Sequence, residues 1–369
     1  MFDNFFNGKK ILITGHTGFK GSWLSCWLHE LGAHVIGYAL KPPTTPNLFE
    51  ICGLEKRVTS IAGDIRNAHM LRNILEEHQP EIIFHMAAQP LVRYSYKEPV
   101  ETYETNVMGT VNLLEACRHT PSVRVIIVVT SDKCYENYEW IRSYREDDSL
   151  GGYDPYSSSK SCAELVSNAY LSSFFNSDRH KENNVALATV RAGNVIGGGD
   201  WAEDRVIPDC IKALNEKKTL ILRYPNAIRP WQHVLEPLYG YLQLGHCLYE
   251  NGQAFTGAWN FGSDDADAKP VRWVVEQIAK IWGAPLSILT KQDGNPREAN
   301  YLKLDCFKAK LKLGWYPLWN LNYALKKTVE WYRDYYNHET MIDATLRQIH
   351  EYEEGIHKEI SQRYELQIL

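Results

Sequence analysis

The stretch KKILITGHTGFKGSWLSCWLHELG, residues 9–32, decides the fold. A short apolar run ends at Gly15, and apolar residues then recur at helical spacing until Gly32 stops them. The order is strand, glycine-rich turn, helix. Within the turn, Gly15, Gly18 and Gly21 stand at G-x-x-G-x-x-G spacing. Glycine lets such a turn be tight and lets the backbone approach a pyrophosphate, whose negative charge suits a helix N-terminus. The spacing departs from the ordinary dinucleotide fingerprint G-x-G-x-x-G, and a plain strand-to-helix turn is the alternative reading. Its place after a first strand and before a helix favours the dinucleotide.

Outward from there the same alternation continues. AHVIGYAL (33–40) reads as a strand running into the proline-rich loop KPPTTP, and VTSIAGDI (58–65) as another. A helix from about Met70 to His78 leads to the strand EIIFHMAA (81–88). NVMGTVNLLEACRH (106–119) and SKSCAELVSNAYLSSFF (159–175) read as helices around the strand VRVIIVVTS (123–131), and VALATVRAGNVIG (185–197) as a further strand. Apolar strands separated by helices of this length predict an α/β fold: a Rossmann-like, doubly wound parallel sheet covered on both faces. Beyond Gly197 the texture changes. GGGDW, RYPNAIRPWQHV and DGNPREANYLKLD carry aromatic, Arg and Pro residues between shorter helices, which predicts a smaller C-terminal lobe closing over a ligand. Near the end, Ile342, Leu346, Ile349, Tyr352 and Ile356 share a helical face, expected to pack or to meet another subunit.

Composition narrows the function. With 44% hydrophobic and 23% charged residues and a net charge of −5, the chain has neither the basic footprint of a nucleic-acid binder nor a polybasic membrane surface. The eight cysteines form no CxxC pair and no Cys/His cluster at zinc spacing, and the thirteen histidines show no i, i+4 pair with a carboxylate, so no metal is expected. The N-terminus lacks a basic segment followed by a long apolar one, and no run of about 18 apolar residues occurs, which together predict a soluble, cytoplasmic protein.

Chemistry enters with DPYSSSK, where Tyr156 and Lys160 lie at i, i+4 on one helical face. An ammonium near a phenol, joined by a cationic nicotinamide, would lower the phenol's pKa and make Tyr156 a base near neutral pH. The pair alone is common in helices. Combined with the glycine triplet and with Ser131 at the end of an intervening strand, it becomes specific.

With these motifs the sequence resembles the extended short-chain dehydrogenase/reductase family. GHTGFKGSWL, GDIR, HMAAQPLVR, TNVMGT, TSDKCYEN, GGYDPYSSSKSCAEL, RAGNVIGGGDWAEDR, RPWQHVLEPL and NYLKLD narrow the likeness to its sugar-nucleotide dehydratases, in the branch acting on CDP-glucose. The resemblance implies an NAD-dependent hydro-lyase that converts CDP-glucose to CDP-4-keto-6-deoxyglucose through C4 oxidation, loss of water across C5 and C6, and reduction at C6. Tyr156 would take the 4-hydroxyl proton, with Ser131 bonded to the same oxygen and Lys160 holding the cofactor ribose. Related dTDP-glucose enzymes carry an Asp-Glu pair where this chain has Asp132-Lys133. Asp132 fits the acid that protonates the departing 6-hydroxyl. Lys133 is either the C5 base or a charged group that stabilises the enolate while another group takes the proton. By motif, Gly15, Thr17, Gly18, Phe19, Lys20, Gly21, Asp64, Ile65, Ala87, Ala88, Gln89 and Asn106 would line the NAD, with Tyr156 and Lys160. Asn194, Arg205, Arg229 and Tyr301 would meet the nucleotide-sugar, beside a loop holding Trp231.

The resemblance also implies an NAD-binding domain of residues 1–193 plus about 231–262, a substrate lobe of 194–230 and 263–369, a homodimer with a tetramer as the alternative, and a place in deoxysugar supply for lipopolysaccharide O-antigen. One feature departs from the dinucleotide pattern. The second strand ends in Tyr38, Ala39, Leu40 and Lys41, without the carboxylate that ordinarily takes the adenosine ribose hydroxyls, so NAD binding is expected to be loose. Two other functions share the scaffold. A nucleotide-sugar 4-epimerase keeps Tyr156 and Lys160 but needs no acid for a 6-hydroxyl, and a non-catalytic NAD-binding regulator commonly loses the Tyr or the Lys.

Overall fold

The computed structural model describes residues 2–175, 185–291 and 301–367. Strands β1 (Lys10–Thr14), β2 (His34–Ala39), β3 (Thr59–Ala62), β4 (Ile82–His85), β5 (Val125–Val129) and β6 (Ala186–Ala192) join Gly257–Phe261 in one sheet. From one edge the order is Gly257–Phe261, β6, β5, β4, β1, β2, β3, and every pairing is parallel. Parallel neighbours require crossover segments, which carry the helices onto both faces. The strands therefore read as unbroken apolar runs. In β5, Val125, Ile127 and Val129 enter one core while Ile126 and Val128 enter the other, the period of two dividing one strand between two helical layers.

The strand order reverses at β1, which pairs with β2 on one side and β4 on the other. A crevice outside the carboxyl ends of such strands is where open α/β sheets hold ligands. Thr14 ties its floor together: the hydroxyl lies 2.7 Å from His85 Nδ1 and accepts the N–H groups of Met86 and Ala87. Helix α1 (Phe19–Glu30) begins at Gly18 with no side-chain cap, so its first N–H groups face the crevice without a competing acceptor from that position.

One helical segment differs from the sequence expectation. The segment expected as a helix from Asn106 instead runs as helix Pro99–Tyr103, a π-helical turn over Glu104–Met108, and helix Gly109–Arg118. A wide turn of this kind re-aims one side chain, here Asn106, out of the regular helical ladder. The helix carrying Tyr156 and Lys160 on one face starts at Pro155, because Asp154 caps it by accepting from the Ser157 N–H at 2.9 Å and proline suits the first turn. The helix expected near Met70 begins at Ala68 behind an Asn67 cap.

After β6 the chain builds a smaller region of paired short strands, Leu220–Leu222 with Ile288–Thr290 and Ile228–Pro230 with Ala268–Pro270, and helices including Val206–Glu216 and Val271–Trp282. Part of the DGNPREANYLKLD stretch, residues 292–300, lies outside the described residues. The apolar face near the C-terminus packs within the chain. Tyr352 and Ile349 are fully buried, Trp27 of α1 donates to Glu353 at 2.7 Å, and Trp331 of helix Leu321–Tyr336 donates to Thr345 at 3.0 Å.

Candidate active site

The glycine-rich turn is a cradle that side chains would fill. Gly15 holds φ +77, and a Cβ there would lie 2.7 Å from the Ala87 nitrogen. A Cβ on Gly21 would collide with the Gly15 carbonyl, so α1 packs tightly against the turn. Thr17 braces the turn by donating to the Leu40 carbonyl at 2.9 Å. At the end of β2 no carboxylate stands. The Tyr38 hydroxyl donates to the Asp64 carbonyl at 2.6 Å, and the Asp64 carboxylate takes a two-pronged bond from Arg66, which holds its pKa below the usual carboxylate range. Ile65 is buried against Gly109.

On the other side of the crevice the loop after β4 is fixed by Asn106. Its oxygen accepts from the Gln89 N–H at 2.8 Å, and its amide donates to the Gln89 carbonyl and the Ser159 hydroxyl. Gln89 itself bonds Thr102 and the Leu91 N–H. Both side chains are thus engaged in shaping the loop that carries Ala87 and Ala88.

Ser131, Asp132, Lys133, Tyr156 and Lys160 line one cavity of about 660 Å³, together with Phe19, Lys20, Ala88, Asn194, Arg205 and Arg229. Ser131 ends the β5 segment and caps a tight turn, accepting from the Lys133 N–H at 3.2 Å and donating to Asp132 at 3.0 Å. Burial drives the Tyr156 phenol up to about 12, with Asp132 adding to the shift and Ser131 and Arg205 opposing it. The expected help from Lys160 takes another form, since its ammonium donates to the Val129 carbonyl, 3.2 Å away. Burial brings Lys160 down to about 8, with Lys20 pushing the same way and Glu164 opposing. Lys20 also falls to about 8 through burial and Arg205, against the pull of Asp132. Near neutral pH the cavity therefore holds a neutral phenol and buried cations.

Arg205 is fixed from behind by Asp200 at 2.7 Å and faces Tyr156. Arg229 is nearly buried in the strand Ile228–Pro230, and Trp231 beside it donates to the Lys269 carbonyl. Tyr301 stands apart from the cavity wall, which Leu302 reaches instead; the Tyr301 carbonyl accepts from Asn137 at 3.1 Å. The structure adds wall residues absent from the sequence reading, among them Arg93, Glu139, Asp200 and Arg223. Arg93, Asp200 and Arg223 lay inside stretches already singled out, HMAAQPLVR, GGGDW and RYPNAIRPWQHV, but nothing in their spacing marked them. Among the described residues no cluster of His, Cys, Asp or Glu could hold a metal ion, and no helix is long and apolar enough to cross a membrane.

The residues suit a dinucleotide. The Gly15 cradle, the uncapped start of α1 and a buried Lys160 ammonium bonded only to a carbonyl lie along one crevice. Residues 12–328 match the family described as GDP-mannose 4,6 dehydratase. The chain belongs to this family. Among relatives of the GDP-mannose 4,6 dehydratase family, the CDP-glucose 4,6-dehydratase of Salmonella typhimurium is 52% identical over 349 residues, 95% of this chain and 97% of that one. Solved structures share the fold. A dTDP-glucose 4,6-dehydratase of Bacillus anthracis in complex with NAD superposes with a TM-score of 0.74 at 24% identity, covering 91% of this chain and 100% of that one. A UDP-glucose 4-epimerase of Thermotoga maritima with UDP-glucose gives 0.76 at 24% identity, covering 89% and 99%. At that identity these two likenesses are of fold alone, so the reaction has to be argued from the site.

Proposed function

We propose that this chain is a CDP-glucose 4,6-dehydratase that uses NAD+ and forms CDP-4-keto-6-deoxyglucose and water. The observation that carries the reading is 52% identity with the Salmonella CDP-glucose 4,6-dehydratase along almost the whole chain. The site is chemically consistent with it. Asp132 sits 3.0 Å from Ser131 in the cavity that holds Tyr156, an acid for which 4-epimerisation has no use.

NAD+, when bound, supplies a reversible acceptor of hydride, so the net reaction is a dehydration without oxidation. The protein's own groups handle the protons. Ser131 and Tyr156 hold the sugar 4-hydroxyl, and Tyr156 takes its proton. The 4-ketone then acidifies the hydrogen on C5, which Lys133 removes or whose enolate it stabilises, while Asp132, protonated in the substrate complex, gives its proton to the 6-hydroxyl as it leaves as water. Arg205 and Arg229 pair with the diphosphate, and Asn194 orients the sugar. Lys160 takes the cofactor ribose, Lys20 the phosphates, and Asp64 with Ile65 flanks the adenine.

The reading extends to residues 1–193 with about 231–262 as the cofactor domain and the remainder as the substrate lobe. It extends also to a cytoplasmic homodimer, paired through helix Gly109–Arg118 and helix Pro155–Ser173, that supplies deoxysugars for lipopolysaccharide O-antigen. The test is to supply purified protein and NAD+ with CDP-, dTDP-, UDP- and GDP-glucose in turn and follow the product mass. Loss of one water from CDP-glucose alone is expected. An unchanged mass with a new C4 epimer would overturn the dehydratase reading.

A further inference from the structure

Below the cavity floor lies a buried ion pair that the reaction scheme does not use. Glu164, one helical turn beyond Lys160, and Arg191, on β6, are each only 3% exposed and meet at 2.8 Å. All the Glu164 acceptor positions are engaged. One oxygen takes the Thr130 hydroxyl at 2.5 Å and Arg191 Nε at 2.9 Å; the other takes the Thr189 hydroxyl at 2.6 Å and Arg191 Nη2. Arg191 then reaches on to the Tyr135 hydroxyl at 2.7 Å, and Tyr135 to Asn260 of the sheet-edge strand at 2.7 Å.

The partners come from three carriers of the site. Thr130 precedes Ser131 and Asp132 at the end of β5. Thr189 and Arg191, two residues apart and so on one face of β6, precede Asn194. Glu164 is on the helix of Tyr156 and Lys160. Two successive strand residues are thereby matched to two helix residues a turn apart, Val129 carbonyl to Lys160 and Thr130 hydroxyl to Glu164. Such a pair of rungs fixes both the rotation and the axial position of the helix against the strand. A buried ion pair adds little net stability over an apolar substitute, but its directional bonds can set register.

We propose that Glu164, clamped by Arg191, Thr130 and Thr189, is a positioning residue that sets Tyr156 and Lys160 against Ser131. It touches neither substrate nor cofactor. The proposal rests on the dehydratase reading for its catalytic consequence, but not for its effect on Lys160. The charged or titratable groups facing the Lys160 ammonium are Glu164 and Tyr156 on its own helix, Lys20 on α1, His85 at the end of β4, and Asp132 and Cys134 in the turn after β5. Of these, Glu164 favours the ammonium, so its neutralisation shifts the Lys160 titration downward.

The experiment compares the parent, Glu164→Gln, Glu164→Asp and Thr189→Val as full-length protein. The first readout needs no turnover: the Lys160 side chain is followed by the ¹³Cε shift of labelled lysine and identified by its loss in Lys160→Met. Glu164→Gln is expected to titrate at lower pH than the parent and Glu164→Asp close to it. The second readout is turnover of CDP-glucose with saturating NAD+. Glu164→Gln is expected to lose tenfold or more in kcat, roughly the effect of a 1.4 kcal/mol change in barrier, with KM within threefold, and Thr189→Val a smaller part of the same loss. If Glu164→Gln does not fold, Thr189→Val, which leaves both charges in place, carries the test. A variant that melts like the parent and keeps its kcat, pH profile and Lys160 titration would overturn the proposal. A parent that does not dehydrate CDP-glucose while Glu164→Gln still moves the Lys160 titration would instead overturn the assigned reaction and leave the positioning role standing.

Discussion

Asp132 and Lys133 follow Ser131 directly, and on the proposed reading it is Asp132 that separates dehydration from 4-epimerisation on the same scaffold. The turn that begins at Ser131 presents all three side chains to one cavity. If Lys133 acts at C5, Lys133→Met should abolish exchange of the C5 hydrogen with solvent in the presence of CDP-glucose and NAD+. Exchange at the parent rate, read by mass in deuterated water, would remove Lys133 from that step. Tyr156 poses a different problem, because burial holds its phenol near 12 in the unliganded protein. Its proton leaves only when the 4-hydroxyl and a cationic partner are in place, so Tyr156→Phe should lower kcat by roughly 10²–10⁴-fold. Binding of CDP-glucose, measured by calorimetry, should change little.

At the scale of single elements, the end of β2 and the start of α1 divide the work of holding a dinucleotide. The α1 side is complete, with the Gly15 cradle closed against Ala87. The β2 side offers the buried Tyr38 and Ala39 and an exposed Leu40 in place of a carboxylate. Placing that group at the strand end with Ala39→Asp should tighten NAD+ binding by about tenfold, the effect of a bidentate hydrogen bond to the ribose hydroxyls. Fluorescence titration with NAD+ reads it directly, and an unchanged affinity would show that another element already supplies those bonds. Element boundaries taught a related lesson. The helix bearing Tyr156 begins at Pro155 because Asp154 caps it, a local signal consistent with the i, i+4 pair read from the sequence. The π turn at Glu104–Met108 had no such signal, since its widening serves contacts of Asn106 with Gln89 and Ser159, remote in sequence.

Across the whole molecule, Glu236, fully buried on helix Leu235–Asn251, ties together the C-terminal helix and the turn before helix Leu321–Tyr336. Its carboxylate accepts from the Trp319 and Leu318 N–H groups and the Tyr352 hydroxyl. Burial nonetheless raises it to about 7. The folded state therefore binds the proton more tightly than the unfolded chain, and this stabilisation is complete below the unfolded value near 4.5 and lost as pH rises through 7. The loss amounts to about 3 kcal/mol at most, taking 1.36 kcal/mol per unit. In urea denaturation from pH 4.5 to 8, Glu236→Gln should lack this decline while the parent shows it; parallel curves would count against it.

The sequence alone determined the α/β class and the glycine-rich turn after the first strand, because strand runs and turns are local patterns; the i, i+4 pair Tyr156 and Lys160 was legible the same way, while Ser131 and Asp132 took their roles through the family resemblance and line the same cavity. Tertiary structure decided what depended on distant partners. It placed Arg93 and Arg223 on the cavity wall, left Tyr301 off it, and turned the apolar face near the C-terminus inward. It also joined Glu164 to Arg191, residues whose positions along the chain gave no hint of contact. The physical reason is that a buried charge must find its counter-charge in space, and which residue supplies it is fixed only when β5, β6 and the Tyr156 helix pack together.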